Sequence, residues 1–334
     1  MYESLHNHTL ISDGSQTHLE VLESAEAAGF GVVAFTDHDV YPNEATMAEL
    51  KTYAGPVKWL LGVELSSGLP TDLGGNSKGN LHVLGYFCDP TEEYLKKYLR
   101  ELSESRYIRM RRQIKQLQEL GFSITDEECL TVAGISAPGS FHVVKTLRLK
   151  PENELVVERL RLQMEEAAKS DPEVAKKYAK MMASGPVQYP YGLFMKAGSF
   201  IPMPQDTLGN AMVDFDHAVK LIRDAGGIAI LAHWYFHEDK VSRTTLEKLL
   251  ADGRIDGVET AVFNVQTGDE DFSSQINYLV ELATKNNYAQ VMGIDAHYDK
   301  DFTIFKDSGQ ADRSIGQTKA LVERFKPDTI WSNL

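Results

Sequence analysis

Seven short apolar runs, each carrying a histidine or carboxylate at or near its end, constrain this chain more than any other feature. They are residues 2 to 6, GVVAFTDHD, KWLLGVE, LHVLGYF, GIAILAHW, GVETAVF and QVMGIDAH. Their β-branched and apolar content predicts strands, and most are separated by stretches of helical period. THLEVLESAEAAG opens with Thr17 and Glu20 in capping-box spacing, places Leu19, Leu22 and Ala25 on one stripe and stops at Gly29. EATMAELKTYAG, FDHAVKLIRDAGG, TLEKLLADG and INYLVELATKN have the same character. Helices alternating with short apolar strands predict an α/β fold with a parallel sheet, and seven units suggest a closed or nearly closed barrel. In such barrels chemistry gathers at the C-terminal ends of the strands.

The alternation breaks between the fourth and fifth runs. Residues 91 to 121 predict one long helix, with Leu95, Leu99, Leu102, Ile114 and Leu117 on its apolar stripe and Arg106, Arg109, Arg111, Arg112 and Lys115 along its middle. A basic stretch like this is either a solvated face or a source of bidentate donors to an anion. ITDEECL carries a second capping box at Thr125 and Glu128, and GSFHVVKTL brings His142. Two polar helices are expected over 151 to 184. Residues 185 to 210, rich in proline and aromatics, are expected to be an irregular covering segment. The expected division is therefore 1–100 and 211–334 for the two parts of a barrel, with 101–210 as a helical and loop insertion.

Composition narrows the function. The 334 residues are 43% hydrophobic, enough for a large core, and the net charge of −14 argues against a broad surface for a nucleic-acid polymer or an anionic membrane. A small anion remains compatible, because bound cations reverse the field locally. Two widely separated cysteines, Cys88 and Cys129, fit a reducing compartment. With no apolar run long enough to span a membrane and candidate site residues from position 6 onward, a cytoplasmic protein is expected. The glycines of GGNSKG lack phosphate-loop spacing and are expected to form a turn.

The decisive pattern is positional. His6, His8, His38, Glu64, His82, His233, Asp295 and His297 fall at or near the ends of the expected strands, and Asp13 falls in the first loop. Residues two apart on a strand share a side, so His6 and His8 can reach one ion. Without a thiolate among them, these donors suit Mn, Fe or Zn. Nine candidate ligands exceed the needs of one ion, so two or three divalent ions are expected.

HNH with the following Asp13, TDH with His38, GVE with Glu64, His82, LAH with His233, and GIDAH with Asp295 and His297 together resemble the motifs of the PHP (polymerase and histidinol phosphatase) family. The resemblance covers residues 1 to 90 and 211 to 300. It implies a distorted (β/α)7 barrel, TIM-like, with a trinuclear site. His6, His8, Glu64 and Asp295 would hold the first metal; Glu64 would bridge to a second, also held by His82 and His233; Asp13, His38 and His297 would hold the third. It further implies hydrolysis of a small phosphorylated substrate by a metal-bridging hydroxide, with Asp295, His297 and His233 at the catalytic centre. GSFHVVKTL and the preceding helix resemble stand-alone PHP phosphoesterases of nucleotides and similar phosphates, which implies His142 and Arg106 or Arg109, then Lys145, as phosphate contacts. Two positions depart from the family: Ser140 and Phe141 stand where an Arg is usual shortly before the histidine, and Trp234 replaces the usual Pro after LAH. His18, His217 and His237 match no family position and are expected to be surface or structural. The alternatives are a metal-dependent amidohydrolase or lactonase, since metal-activated water also attacks carbonyl carbon, and a non-catalytic metal-stabilised module.

Overall fold

The computed structural model describes residues 1–75, 81–134, 138–195, 198–203, 211–261 and 271–326. The chain divides into two compact units, Met1–Arg100 with Met212–Leu334, and Glu101–Ala211. In the first, seven strands form one mixed sheet in chain order: β1 (Tyr2–Ser4), β2 (Phe30–Phe35), β3 (Lys58–Ser67), β4 (Leu81–Tyr86), β5 (Ile228–Leu231), β6 (Gly257–Ala261) and β7 (Ala289–Met292). The expectation of an all-parallel sheet is corrected at one strand: β4 runs antiparallel to both β3 and β5, while the other pairs are parallel. The physical reason lies in the β3–β4 connection. A parallel return needs a crossover, usually a helix, and here the described part of the connection holds only the short 3-10 turn Thr71–Leu73.

Side chains along β2 show why both sheet faces are apolar. Val32 and Ala34 enter one core cluster with Leu5, Leu84, Ile230 and Val291, whereas Val33 and Phe35 enter another with Leu22, Phe302 and Phe305. This is period-two alternation buried on both faces. The first cluster joins residues from the start and the end of the strand order, so the sheet curls, but it does not close. Among the described residues β1 and β7 meet only beyond their ladders, through the single bridge Asn7 to Ala296 and the bonds Leu5 N–H to Met292 O (2.8 Å) and His8 N–H to Ala296 O (2.9 Å).

The helices obey their local signals. Thr17 and Glu20 form the expected capping box on helix His18–Ala28, and Gly29 ends it at φ 88°. Buried Glu3, in the middle of β1, accepts from the backbone N–H of Gly316 and Thr318 and from the Thr318 hydroxyl at 2.6–2.7 Å. A carboxylate there answers the positive end of helix Gln317–Phe325 and ties it to the first strand. No described helix is long and apolar enough to cross a membrane.

The second unit is helical, with its own core of Ile114, Leu117, Phe122, Val143, Leu160 and Phe194. Helix Glu93–Glu119 runs into it from the first unit, followed by Asp126–Ala133, Ser140–Arg148, Glu152–Ala168 and Pro172–Ala183. The segment expected to be irregular from 185 winds into a 3-10 turn, Pro186–Gln188, and a π turn, Tyr191–Met195. Its apolar side chains turn inward: Leu193, Phe194 and Met195 are buried, and the Phe122 and Phe194 ring centroids lie 5.2 Å apart. Residues 196–197 and 204–210 of that segment, and 76–79 of the expected glycine turn, lie outside the described residues.

Candidate metal centre

The backbone after β1 remains extended, so His6 and His8 point one way and Asn7 the other. Asn7 is used structurally, its side-chain amide donating to Ser4 O (2.8 Å) and Ala34 O (2.9 Å). The chain then folds back over His8: Ser12 and Gly14 N–H both donate to Thr9 O, and a Cβ at Gly14 would lie 2.5 Å from the His8 carbonyl oxygen, so only glycine fits. Asp37 fixes this loop by accepting from Thr9 N–H (2.7 Å) and the Ser12 hydroxyl (2.5 Å), which positions Asp13.

Glu64, mid-strand in β3 and fully buried, is the hub. Its Oε2 lies 3.2 Å from His6 Nε2, 3.2 Å from His8 Nε2 and 3.0 Å from His38 Nδ1. Its Oε1 lies 2.8 Å from His82 Nδ1 and 2.9 Å from His233 Nε2. His82 is the second residue of β4, and the antiparallel direction of that strand puts its start at the rim where the parallel strands end, opposite Ser66 in register. Asp295 Oδ1 is 2.9 Å from His8 Nε2 and 3.5 Å from His6 Nε2. Asp13 lies 3.4 Å from His297 Nε2, 3.5 Å from His8 Nδ1 and 3.7 Å from His38 Nε2. All nine sequence candidates therefore converge, and His8 and His38 each face two groups through their two ring nitrogens. His233 (φ 28°) and Asp295 (φ 48°) hold left-handed backbone conformations, a strain that concentrates at functional sites.

The geometry fits cations. His6 Nε2, His8 Nε2, Glu64 Oε2 and Asp295 Oδ1 all lie within 4.8 Å of one another, as do donor atoms of the sets His8, Asp13, His38 and His38, Glu64, His82. Five edges of the first set, 2.9–3.5 Å, bracket the ~3.3 Å edge of a tetrahedron of ligands about 2.0 Å from a zinc-like ion. His38 Nδ1 and Glu64 Oε2 are buried and 3.0 Å apart, yet neither has a hydrogen-bond partner. Two buried polar atoms so close without a hydrogen bond between them suit ligands around a common centre. The tautomer of a neutral His297 agrees: its Nδ1 is 2.7 Å from the Asp295 carbonyl, which can only accept, so in that form Nε2 carries the lone pair toward Asp13.

Charge in the metal-free chain follows the same logic. Burial alone would raise the Glu64 carboxyl, but His38, His82 and His6 outweigh it and hold it well below the usual carboxylate range. Burial opposed by His6 and His297 likewise leaves Asp295 lowered. Conversely His6 and His8 are raised well above the ordinary imidazole value against the pull of burial by the surrounding carboxylates, and His297 is raised to about 8 by Asp13 and Asp295. The buried carboxylates thus favour positive charge on the imidazoles around them, the kind of charge that a divalent ion would supply.

One residue with a clear place here was not among the candidates. Glu259, on β6, is fully buried; its Oε1 is 2.9 Å from His6 Nδ1 and its Oε2 accepts from His233 N–H at 2.8 Å. A carboxylate in the middle of an apolar strand was the available signal. His237, expected to be structural, has its ring 5.8 Å from that of His233, and burial with His233 and Lys240 nearby pulls it down to about 3. His18 is buried 3.7 Å from Asp37, and His217 is exposed.

The candidate phosphate contacts lie in the second unit. His142 is buried in the first turn of helix Ser140–Arg148, where its Nδ1 accepts from Gly139 N–H at 3.1 Å. Arg106 and Arg109 are half-buried on the long helix, whereas Arg111 is exposed and pairs with Asp126 at 2.8 Å. Lys145 stands 6.0 Å from the Phe141 ring centroid.

No family model matches the chain. Across 330 residues, 99% of this chain and 95% of the relative, it is 25% identical to a 3′,5′-nucleoside bisphosphate phosphatase of Chromobacterium violaceum. Across 234 residues, 70% of this chain and 74% of the relative, it is 27% identical to a phosphoribosyl 1,2-cyclic phosphate 1,2-diphosphodiesterase of Eggerthella lenta. Two solved structures share the fold. A protein assigned as a metal-dependent phosphoesterase from Bifidobacterium adolescentis superposes with a TM-score of 0.58 at 22% identity, covering 88% of this chain and 87% of that one. An amidohydrolase from Chromobacterium violaceum, solved with sulfate and no metal, gives 0.59 at 20% identity, covering 89% and 88%. A mixed seven-stranded α/β sheet with a histidine and carboxylate cluster at one rim defines the class, that of the α/β proteins able to bind divalent metal. The two relatives, named for phosphatase and phosphodiesterase activity, are consistent with the resemblance to the PHP family carried by the motifs.

Proposed function

We propose that this chain is a metal-dependent phosphoesterase of a small organic phosphate, a nucleotide or similar phosphomonoester, built on a distorted (β/α)7 framework. The observation that carries this is the convergence of nine metal-ligating side chains, Glu64 among them, whose two oxygens face five imidazoles. His6, His8, Glu64 and Asp295 would hold one ion; Glu64, His82 and His233 a second; Asp13, His38 and His297 a third. When bound, Mn, Fe or Zn ions would supply an activated water near neutral pH and neutralise phosphoryl charge. The chain's own residues do the rest. Asp295, His297 and His233 stand at the catalytic centre, and His142 with Arg106 or Arg109 would donate to the phosphate. Two curated relatives named for phosphate-ester hydrolysis support phosphate over the amide or lactone alternative. The free cysteines, both pushed up to about 11 by burial, suit the proposed cytoplasmic setting.

Metal content tests the reading directly. Protein purified without chelator should contain two to three divalent ions per chain by elemental analysis, and one ion or none in active protein would refute the multinuclear site.

A further inference from the structure

We infer that Glu259 is a positioning residue, a clamp that sets the orientation of His6 and anchors the turn of His233 on the two sides of Glu64. The inference rests on the metal reading above and extends it to a residue that ligates nothing.

Three observations combine. Both carboxylate oxygens of Glu259 are committed, Oε1 to His6 Nδ1 at 2.9 Å and Oε2 to the His233 backbone N–H at 2.8 Å, with the side chain fully buried. A carboxylate accepting from Nδ1–H obliges the His6 lone pair to sit on Nε2, the atom that faces Glu64, Asp295 and His8. His233, held through its N–H, adopts φ 28°, and its Nε2 meets the opposite oxygen of Glu64 at 2.9 Å. The left-handed turn is costly for a side chain with a Cβ, so a buried charge-assisted hydrogen bond at its N–H is the kind of restraint that would keep it there.

The third observation is the space that the clamp requires. A Cβ at Gly293 would come within 2.1 Å of His6 Cβ and 2.9 Å of Glu259 Oε1. The glycine of GIDAH is therefore what lets β1, β6 and the end of β7 approach closely enough for the carboxylate to reach the imidazole. One carboxylate thus couples a residue of the first proposed ion site to a residue of the second, and it fixes their separation across the bridging Glu64.

The test uses the full chain stripped of metal and reloaded with zinc. Wild type, Glu259→Gln and Glu259→Ala are compared by calorimetric zinc titration, by thermal melting, and by NMR of the zinc-loaded, histidine-labelled protein, in which a hydrogen-bonded Nδ1–H of His6 reports the clamp. Both variants should bind zinc about 10- to 100-fold more weakly. Alanine should abolish the protected His6 Nδ1–H signal. Glutamine, which keeps an oxygen for His6 but turns an N–H₂ toward the His233 N–H, should retain that signal while still losing affinity. Glutamine preserves the side-chain volume, so it carries the test if alanine does not fold. Zinc affinity within twofold of wild type in the folded variants would overturn the clamp. Wild type that takes up no divalent ion would instead overturn the metal reading on which it rests.

Discussion

Glu64→Gln should lower metal-dependent phosphate release by about 10³-fold or more, the scale of losing several kcal/mol of charge stabilisation. Among the described residues, no other carboxylate in the cluster faces so many imidazoles. Three imidazoles lie within 3.2 Å of Oε2 and two within 2.9 Å of Oε1. An amide of the same shape offers one neutral oxygen and a donor N–H₂, so it can neither bridge two cations nor supply the negative charge that raises His6 and His8. Kinetics paired with elemental analysis should show turnover and bound metal falling together. Full activity with a full metal complement would remove Glu64 from the centre of the account.

His142→Ala should have the next largest effect, with a different signature. The proposal gives His142 a phosphoryl oxygen as its partner, and loss of one such donor costs about 10²-fold or more in kcat/KM. Bound metal should be unchanged, because His142 lies outside the nine proposed ligands. The structure also gives the residue a local task, since its Nδ1 caps the start of its helix by accepting from Gly139 N–H. Loss of a cap alone costs about 1 kcal/mol of stability and leaves the kinetics of the folded enzyme intact. Thermal melting together with kcat/KM separates the two. A lower melting point with unaltered kcat/KM would reduce His142 to a structural role.

Most of the candidate site was legible because strand ends and chemistry coincide. In β2, β5 and β7 an apolar run hands over to polar residues that apolar packing does not explain, and His38, His233 and Asp295 lie just past those ends, as His6 lies past β1. The direction of β4 was less visible, because LHVLGYF reads as a strand either way. The better signal lay before it, where 81 minus 67 leaves too little chain for a crossover helix of ordinary length after a glycine- and proline-rich turn. That reversal explains why His82, at the start of its strand, meets residues at the ends of others. Glu259 was legible by position, but its partners were not, since a pairing with His6 across 253 residues is made only by the curled sheet. The winding of Tyr191–Met195 was hidden by prolines and glycines on either side, although its three consecutive buried side chains, Leu193 to Met195, supply the apolar contacts that stabilise it.

The central claim is the chemistry of the cluster, and turnover of a defined substrate panel by metal-replete wild-type protein tests it most directly. The panel pairs phosphates (AMP, histidinol phosphate, a nitrophenyl phosphate and a 3′,5′-bisphosphate nucleotide) with simple amides and lactones. Release of inorganic phosphate from at least one phosphomonoester, lost on chelation and restored by Mn, Fe or Zn, is the predicted result. Metal-replete protein that leaves every phosphate intact while opening amides or lactones would contradict it.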